Sequence, residues 1–311
     1  MKTFVIRRTA LIWNSRGILV FPGGLGTLNE MIEAWTAAID HKLMCPIVLI
    51  PYTFYKPFLD TIRTVAVDDR KLILTSDFNM IQQANDVNGA VRLVQQPMKP
   101  KAGTQFTLRE KLIYLRHELG RGLTTVSLLP PAVIFMGSKC ELSRTDAEVQ
   151  FIIRLTKEIL STLTSIGIRL GVGGMIDEVV TESTEEEEVA SERIQRILMT
   201  DELPIEQEVH AHFESRSAHC ESLLTNAKAA FFLPGDIPTL NVLFALVCEI
   251  QTGRRSRMPV FLIGAMFWQP IVDGLRETLK GGQYIKEKDI DIMTVIDTSE
   301  VDIISKVMKR I

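Results

Sequence analysis

Residues 21–30 read Phe-Pro-Gly-Gly-Leu-Gly-Thr-Leu-Asn-Glu, and their types and spacing could bind an anion and work on it. The run GILVF (17–21) ahead of them is of strand type, and behind them Leu28, Met31, Ile32 and Trp35 recur at helical spacing. A strand that turns through Pro-Gly-Gly-Leu-Gly-Thr into a helix leaves several backbone N–H groups without an intrahelical acceptor. Glycines at 23, 24 and 26 let the backbone approach an anion closely, and the helix dipole adds partial positive charge. Gly23, Gly24, Gly26 and Thr27 are therefore a candidate phosphate cradle, and Glu30 is a candidate acid-base carboxylate. The same letters also fit a tight strand-to-helix turn without a ligand. Thr27 and Glu30 fit a capping box as well, in which the two side chains satisfy helix-start donors reciprocally.

A second version of this turn, LPGDIPTLNV, stands at 233–242. Pro22 pairs with Pro234 at an offset of 212, Pro46 with Pro259 and Pro57 with Pro270 at 213, and Asp77 with Asp289 at 212. The register holds over most of residues 10–94, so the sequence reads as a duplicated domain. Thr239, Leu240 and Asn241 keep their places, whereas Val242 stands where Glu30 does. The helix can therefore begin without that carboxylate, which favours a functional Glu30 over a capping one.

Strand and helix alternate in each copy, the pattern of right-handed crossovers and a buried parallel sheet. PIVLI (46–50) precedes a helix from about Lys56; in copy two, AVIFMGSK (132–139), a helix through Phe151 to Leu163 and the strand-turn IRLGVGG (168–174) come first. The expected fold is α/β, a Rossmann-like doubly wound parallel sheet in two tandem copies. Residues 1–95 are the C-terminal half of a first domain, 96–131 a linker and connecting helix, and 132–311 a second, degenerate domain. The counterpart of Ala132 would fall about eighty residues before Met1, so the first copy is expected to be incomplete and the sequence a fragment. TESTEEEEVASE (181–192) reads as solvated surface.

FVIRRTALIWNSRGILVFPGGLGTLNEMIEAW resembles the signature of the Lonely guy family, also labelled lysine-decarboxylase-like: an Arg-Lys pair followed by Pro-Gly-Gly-x-Gly-Thr-x-x-Glu. Arg7 falls at the family arginine and Arg8 at the lysine; Pro22, Gly23, Gly24, Gly26, Thr27 and Glu30 fill the rest. The resemblance extends weakly to residue 95 and again over 132–311. It implies a phosphoribohydrolase acting on nucleoside 5′-monophosphates of the AMP or cytokinin ribotide type, releasing free base and ribose 5-phosphate. No cofactor or metal is expected. Lysine decarboxylation would need pyridoxal phosphate on a Schiff-base lysine, and the sequence identifies none. On the implied chemistry Glu30 and Arg7 are catalytic, and Gly23, Gly24, Gly26 and Thr27 bind phosphate. Arg8 binds substrate, and Arg7 reaches the phosphate or the departing base. The family's homodimeric architecture makes an intramolecular pseudo-dimer or a homo-oligomer plausible, with the truncated chain inactive alone.

Copy two departs at nearly every such position, with His219 for Arg7, Cys220 for Arg8, Asp236 for Gly24 and Pro238 for Gly26. GVGGMIDE (171–178) is similarly degraded relative to the family's glycine-rich turn, and His219 beside Cys220 reads as packing. The alternative function is a non-catalytic nucleotide-binding or regulatory protein of the same superfamily. A formal net charge of −3 and a pI of about 6.0 give no global attraction to nucleic acid or membrane. Cys45, Cys140, Cys220 and Cys248 are single, which fits a reducing, cytoplasmic setting.

Overall fold

A computed structural model describes residues 12, 15–40, 43, 45–96, 130–138, 146–171, 180, 193–199, 211–213, 216–281, 283–300 and 303–311. Arg7, Arg8, the connecting helix expected in 96–131, the acidic segment 181–192 and most of GVGGMIDE lie outside them. The described residues gather into two compact units. One draws on Met1–Ile113, Asp236–Arg254 and Gln269–Asp291, the other on Tyr114–Gly235, Arg255–Trp268 and Ile292–Ile311.

The first unit holds a three-stranded parallel sheet of β1 (Ile18–Val20), β2 (Ile47–Leu49) and β3 (Ile81–Gln83), in that order. Helix α1 (Leu25–Ile39) follows β1, and α2 (Tyr52–Ile62) follows β2, running on into a π-helical turn at Arg63–Asp69. The short α3 (Thr75–Phe78) leads to β3, and α4 (Val87–Gln95) closes the run. Parallel neighbours need such crossovers, because a tight hairpin can only reverse the chain. Val48 and Ile50 pack with Ala84 and Ala90, and Trp35 of α1 donates its indole N–H to the Asp77 carbonyl at 2.8 Å.

The second unit holds a seven-stranded parallel sheet. Its strands are β4 (Ala132–Met136), β5 (Gly167–Leu170), β6 (Ile194–Met199), β7 (Ala211–Phe213), β8 (Ala227–Phe232), β9 (Val260–Ile263) and β10 (Met293–Ile296), in the order β10-β9-β8-β4-β5-β6-β7. The order grows outward in both directions from the β4–β8 pair, the doubly wound arrangement that places a crevice at the strands' carboxyl ends. Helices α5 (Ala147–Thr162), α6 (Arg216–Leu224), α7 (Ile237–Gln251), α8 (Ala265–Gly281), α9 (Glu287–Ile290) and α10 (Ile303–Met308) complete the chain. Phe135, Phe231 and Phe261 sit in this unit's core, with Phe231 stacked on Phe261 at 5.0 Å. The protein has an α/β Rossmann-like fold of parallel strands and crossover helices. No helix among the described residues is long and apolar enough to cross a membrane.

Candidate functional site

The chain leaves the carboxyl end of β1 through Phe21-Pro22-Gly23-Gly24 and enters α1 at Leu25, two residues earlier than the apolar spacing alone would start it. Gly24 takes the N-cap place with extended backbone, and no side chain caps the helix. The first intrahelical bond runs from the Leu28 N–H to the Gly24 carbonyl at 3.1 Å, so the N–H groups of Leu25, Gly26 and Thr27 have no acceptor within the helix. Two of the glycines have steric reasons. A Cβ on Gly23 would strike the Thr27 side chain, and one on Gly24 would lie 2.9 Å from the Tyr284 carbonyl oxygen. Gly26 has none, since a Cβ there meets nothing within 4 Å. The backbone at 26 is bare toward open space, as a cradle for a ligand requires.

Because the helix begins at Leu25, Thr27 is its third residue and Glu30 its sixth. A box of these two residues would need Thr27 at the N-cap, the place Gly24 takes, so that alternative falls. Thr27, Glu30, Met31 and Ala34 recur along one helical face and, opposite Gly17–Pro22, line a cavity of about 340 Å³. Glu30 is only partly exposed and has a partner among its neighbours. The cavity thus joins Thr27, whose N–H has no acceptor within the helix, to one carboxylate, Glu30.

Aromatic side chains from Tyr52–Ile62 and from Tyr284 brace the turn. The Tyr55 hydroxyl donates to the Phe21 carbonyl, and burial raises its pKa, keeping it a proton donor. Phe54 contacts Tyr55 and Tyr284 edge-on, at 4.8 and 5.3 Å. Tyr284 escaped sequence reasoning because nothing local links it to Gly24.

A model of the family described as possible lysine decarboxylase matches residues 1–94 and 172–306, including both Pro-Gly turns. The chain belongs to this family. A solved structure, the X-ray structure of TM1055, is similar over 58% of this chain and 99% of its own, at 15% identity and a TM-score of 0.40. No curated protein matches the sequence.

In this member of the possible lysine decarboxylase family the second turn is built differently. Asp236 is the N-cap of α7, and its Oδ1 accepts from the Thr239 N–H at 3.1 Å and the Thr239 hydroxyl at 2.9 Å. An aspartate here repels an anion by its charge, and its carboxylate already occupies the helix start. His219 is buried with a ring nitrogen 2.8 Å from the Ile197 carbonyl, in agreement with a packing role. Among the described residues, no group of three His, Cys, Asp or Glu side chains could hold a metal ion.

Proposed function

We propose that the chain hydrolyses the N-glycosidic bond of a nucleoside 5′-monophosphate to a free base and ribose 5-phosphate at the cavity between β1 and α1. The observation that carries this reading is that Thr27, in the uncapped first turn of α1, and Glu30 line the same cavity. The 5′-phosphate accepts from the N–H groups at 25–27 and from the Thr27 hydroxyl, with the helix dipole adding to the attraction. Water adds to C1′ as the C1′–N bond breaks. The bonding electron pair leaves with the base nitrogen, which takes up a proton, while water gives up one of its own. Glu30 accepts the water proton and offsets the positive charge that builds on the ribose. Arg7 and Arg8 are assigned to the phosphate and the departing base by the family resemblance. Among the described residues the one charged side chain that lines this cavity is the Glu30 carboxylate, which suits hydrolysis better than the amine chemistry of a decarboxylase.

Incubation with AMP is expected to release adenine and ribose 5-phosphate, with adenosine hardly touched because the cradle holds only the phosphate. Equal rates on the two, measured by chromatography, would remove the cradle; AMP binding without release would support the non-catalytic alternative. Gly26→Ala sharpens the test. The methyl group meets no protein atom and alanine favours a helix, so stability should hold or rise by about 0.5–1 kcal/mol. AMP affinity should fall tenfold or more, and an unchanged affinity would place the phosphate elsewhere.

We infer as well that the chain contains two copies of one domain, of which only the first keeps a ligand site, and that helices of the two copies pair as an internal pseudo-dimer. The matching strand triplets β1-β2-β3 and β8-β9-β10, and the packing of α1 along α7, support this.

A further inference from the structure

The turn that leads into α1 is held by a residue that does not itself line the cavity. Phe21 and Pro22 are among the described residues of that lining, and Tyr55 is not. From α2 the wholly buried Tyr55 donates its hydroxyl to the Phe21 carbonyl. The acceptor matters because Pro22 follows it. A peptide bond to proline carries no N–H, so the Phe21 carbonyl is the one polar group by which that peptide can be oriented. Gly23 and Gly24 come next, and glycines impose little direction of their own. The path from Phe21 to the N–H groups at 25–27 is therefore set from its ends. At the far end the Tyr284 carbonyl oxygen lies 2.9 Å from where a Cβ of Gly24 would stand, and Phe54 meets the rings of Tyr55 and Tyr284 edge-on.

The second turn is held in another way. Leu233 and Pro234 correspond to Phe21 and Pro22 at the offset of 212, and Trp268 to Tyr55 at 213. Trp268 is buried as deeply as Tyr55, but its indole N–H has no hydrogen-bond partner among the described residues. That turn fixes itself, because the Asp236 carboxylate accepts from the Thr239 N–H and hydroxyl. Gly24 has no side chain with which to do the same. A helix start left bare for a ligand needs its tether from elsewhere, and the tyrosine stands at the turn that has this need.

We propose that Tyr55 is a positioning residue for the phosphate cradle: by holding the Phe21 carbonyl it keeps the N–H groups of Leu25, Gly26 and Thr27 presented to a phosphate that it does not touch. This rests on the proposed placing of the 5′-phosphate at 25–27. Without the tether the turn spreads over several orientations, and affinity falls by the fraction that remains competent. A turn competent in about a tenth of the molecules binds about tenfold more weakly. A bound nucleotide restores the orientation, so the step at Glu30 then proceeds at nearly the same rate. Burial raises the Tyr55 pKa, so the hydroxyl keeps its proton and the tether lasts into alkaline solution.

The test is Tyr55→Phe, which removes the hydroxyl and keeps the ring. Calorimetry with ribose 5-phosphate, at a temperature where circular dichroism shows every variant folded, should give a Kd raised about tenfold. In AMP hydrolysis KM should rise by the same factor, while kcat changes by less than about threefold. Trp268→Phe is the control, since it also takes one donor from a buried ring; it should leave the affinity for ribose 5-phosphate in place, whatever it does to the melting temperature. Unchanged affinity in Tyr55→Phe, a fall in kcat with KM held, or equal weakening in the two variants would each overturn the proposal. The calorimetric arm needs no turnover, so the two readings fail separately. Weaker ribose 5-phosphate binding in Tyr55→Phe without AMP hydrolysis by the parent chain would sink the hydrolytic reading and leave the positioning role standing. AMP hydrolysis with an affinity indifferent to Tyr55→Phe would do the reverse, and a parent chain that binds no ribose 5-phosphate would overturn both.

Discussion

At the scale of single residues, the proposed chemistry rests on Glu30, and Gly26 gives the clearest sign of a ligand, because its missing side chain serves no packing need. Glu30→Gln should lower AMP hydrolysis by on the order of 10²-fold or more. The melting temperature should hold, since Glu30 caps nothing at the helix start. Near-normal turnover would move the acid-base role to another group. The turn itself was legible in the sequence because its parts are adjacent: three glycines, a threonine and a glutamate fall within residues 23–30. Arg169 was not. Between Ile168 and Leu170 it reads as the outward residue of an alternating strand, yet it is wholly buried. Its guanidinium donates to the carbonyls of Leu223 and Pro130, each at 2.9 Å, to that of Thr225, and to Gln195 Oε1 at 3.2 Å. Burial brings its pKa down to about 10, which leaves it cationic at neutral pH. Only the tertiary convergence of those carbonyls makes an arginine tolerable there, and no local pattern announces it.

At the scale of elements, α1 and α7, matching helices of the proposed repeat, treat the N-terminus in opposite ways. Both are 15 residues long and both start two residues before the threonine. One is capped by a glycine that offers no side chain, the other by an aspartate that supplies an anion of its own. The helical spacing in the sequence runs from TLNEMIEAW, beginning at Thr27; the structure starts the helix at Leu25, because Gly24 needs only extended geometry to serve as N-cap. Asp236→Ala should therefore cost about 1 kcal/mol and lower the melting temperature, whereas Asp236→Asn, an equally good cap, should be near neutral. Neither change should alter AMP binding. Calorimetry should count one nucleotide per chain, held at 24–27. Two equivalent sites, or loss of binding in Asp236→Asn, would reverse the assignment of the two turns.

At the scale of the whole molecule, the proposed repeat rests on prolines 212 and 213 residues apart, of which Pro57 and Pro270 both lie inside helices, α2 and α8. How the copies' helices meet was not legible, since each apolar helix could cover a sheet as well as another helix. α1 packs along α7, Phe58 of α2 meets Phe244 of α7 edge-on at 5.8 Å, and the Phe58 N–H donates to the buried Thr278 hydroxyl of α8 at 3.2 Å. Thr61 and Gly274 are counterparts at the offset of 213, and they touch. A Cβ on Gly274 would lie 2.7 Å from Thr61 Oγ1 and 2.9 Å from the Pro57 carbonyl oxygen. A residue that meets its own counterpart stands on a two-fold axis, the mark of an isologous interface, so the proposed pseudo-dimer predicts where the pairing is most intolerant of bulk. Gly274→Leu over-packs that axis against backbone as well as side chain and should destabilise by about 1–3 kcal/mol, read as a lower denaturant midpoint. Asp273→Leu, one residue away on the exposed face, is the control and should leave the midpoint in place. Equal midpoints for the two variants would show that the α2–α8 approach contributes little, and the pairing would then have to rest on α1 and α7.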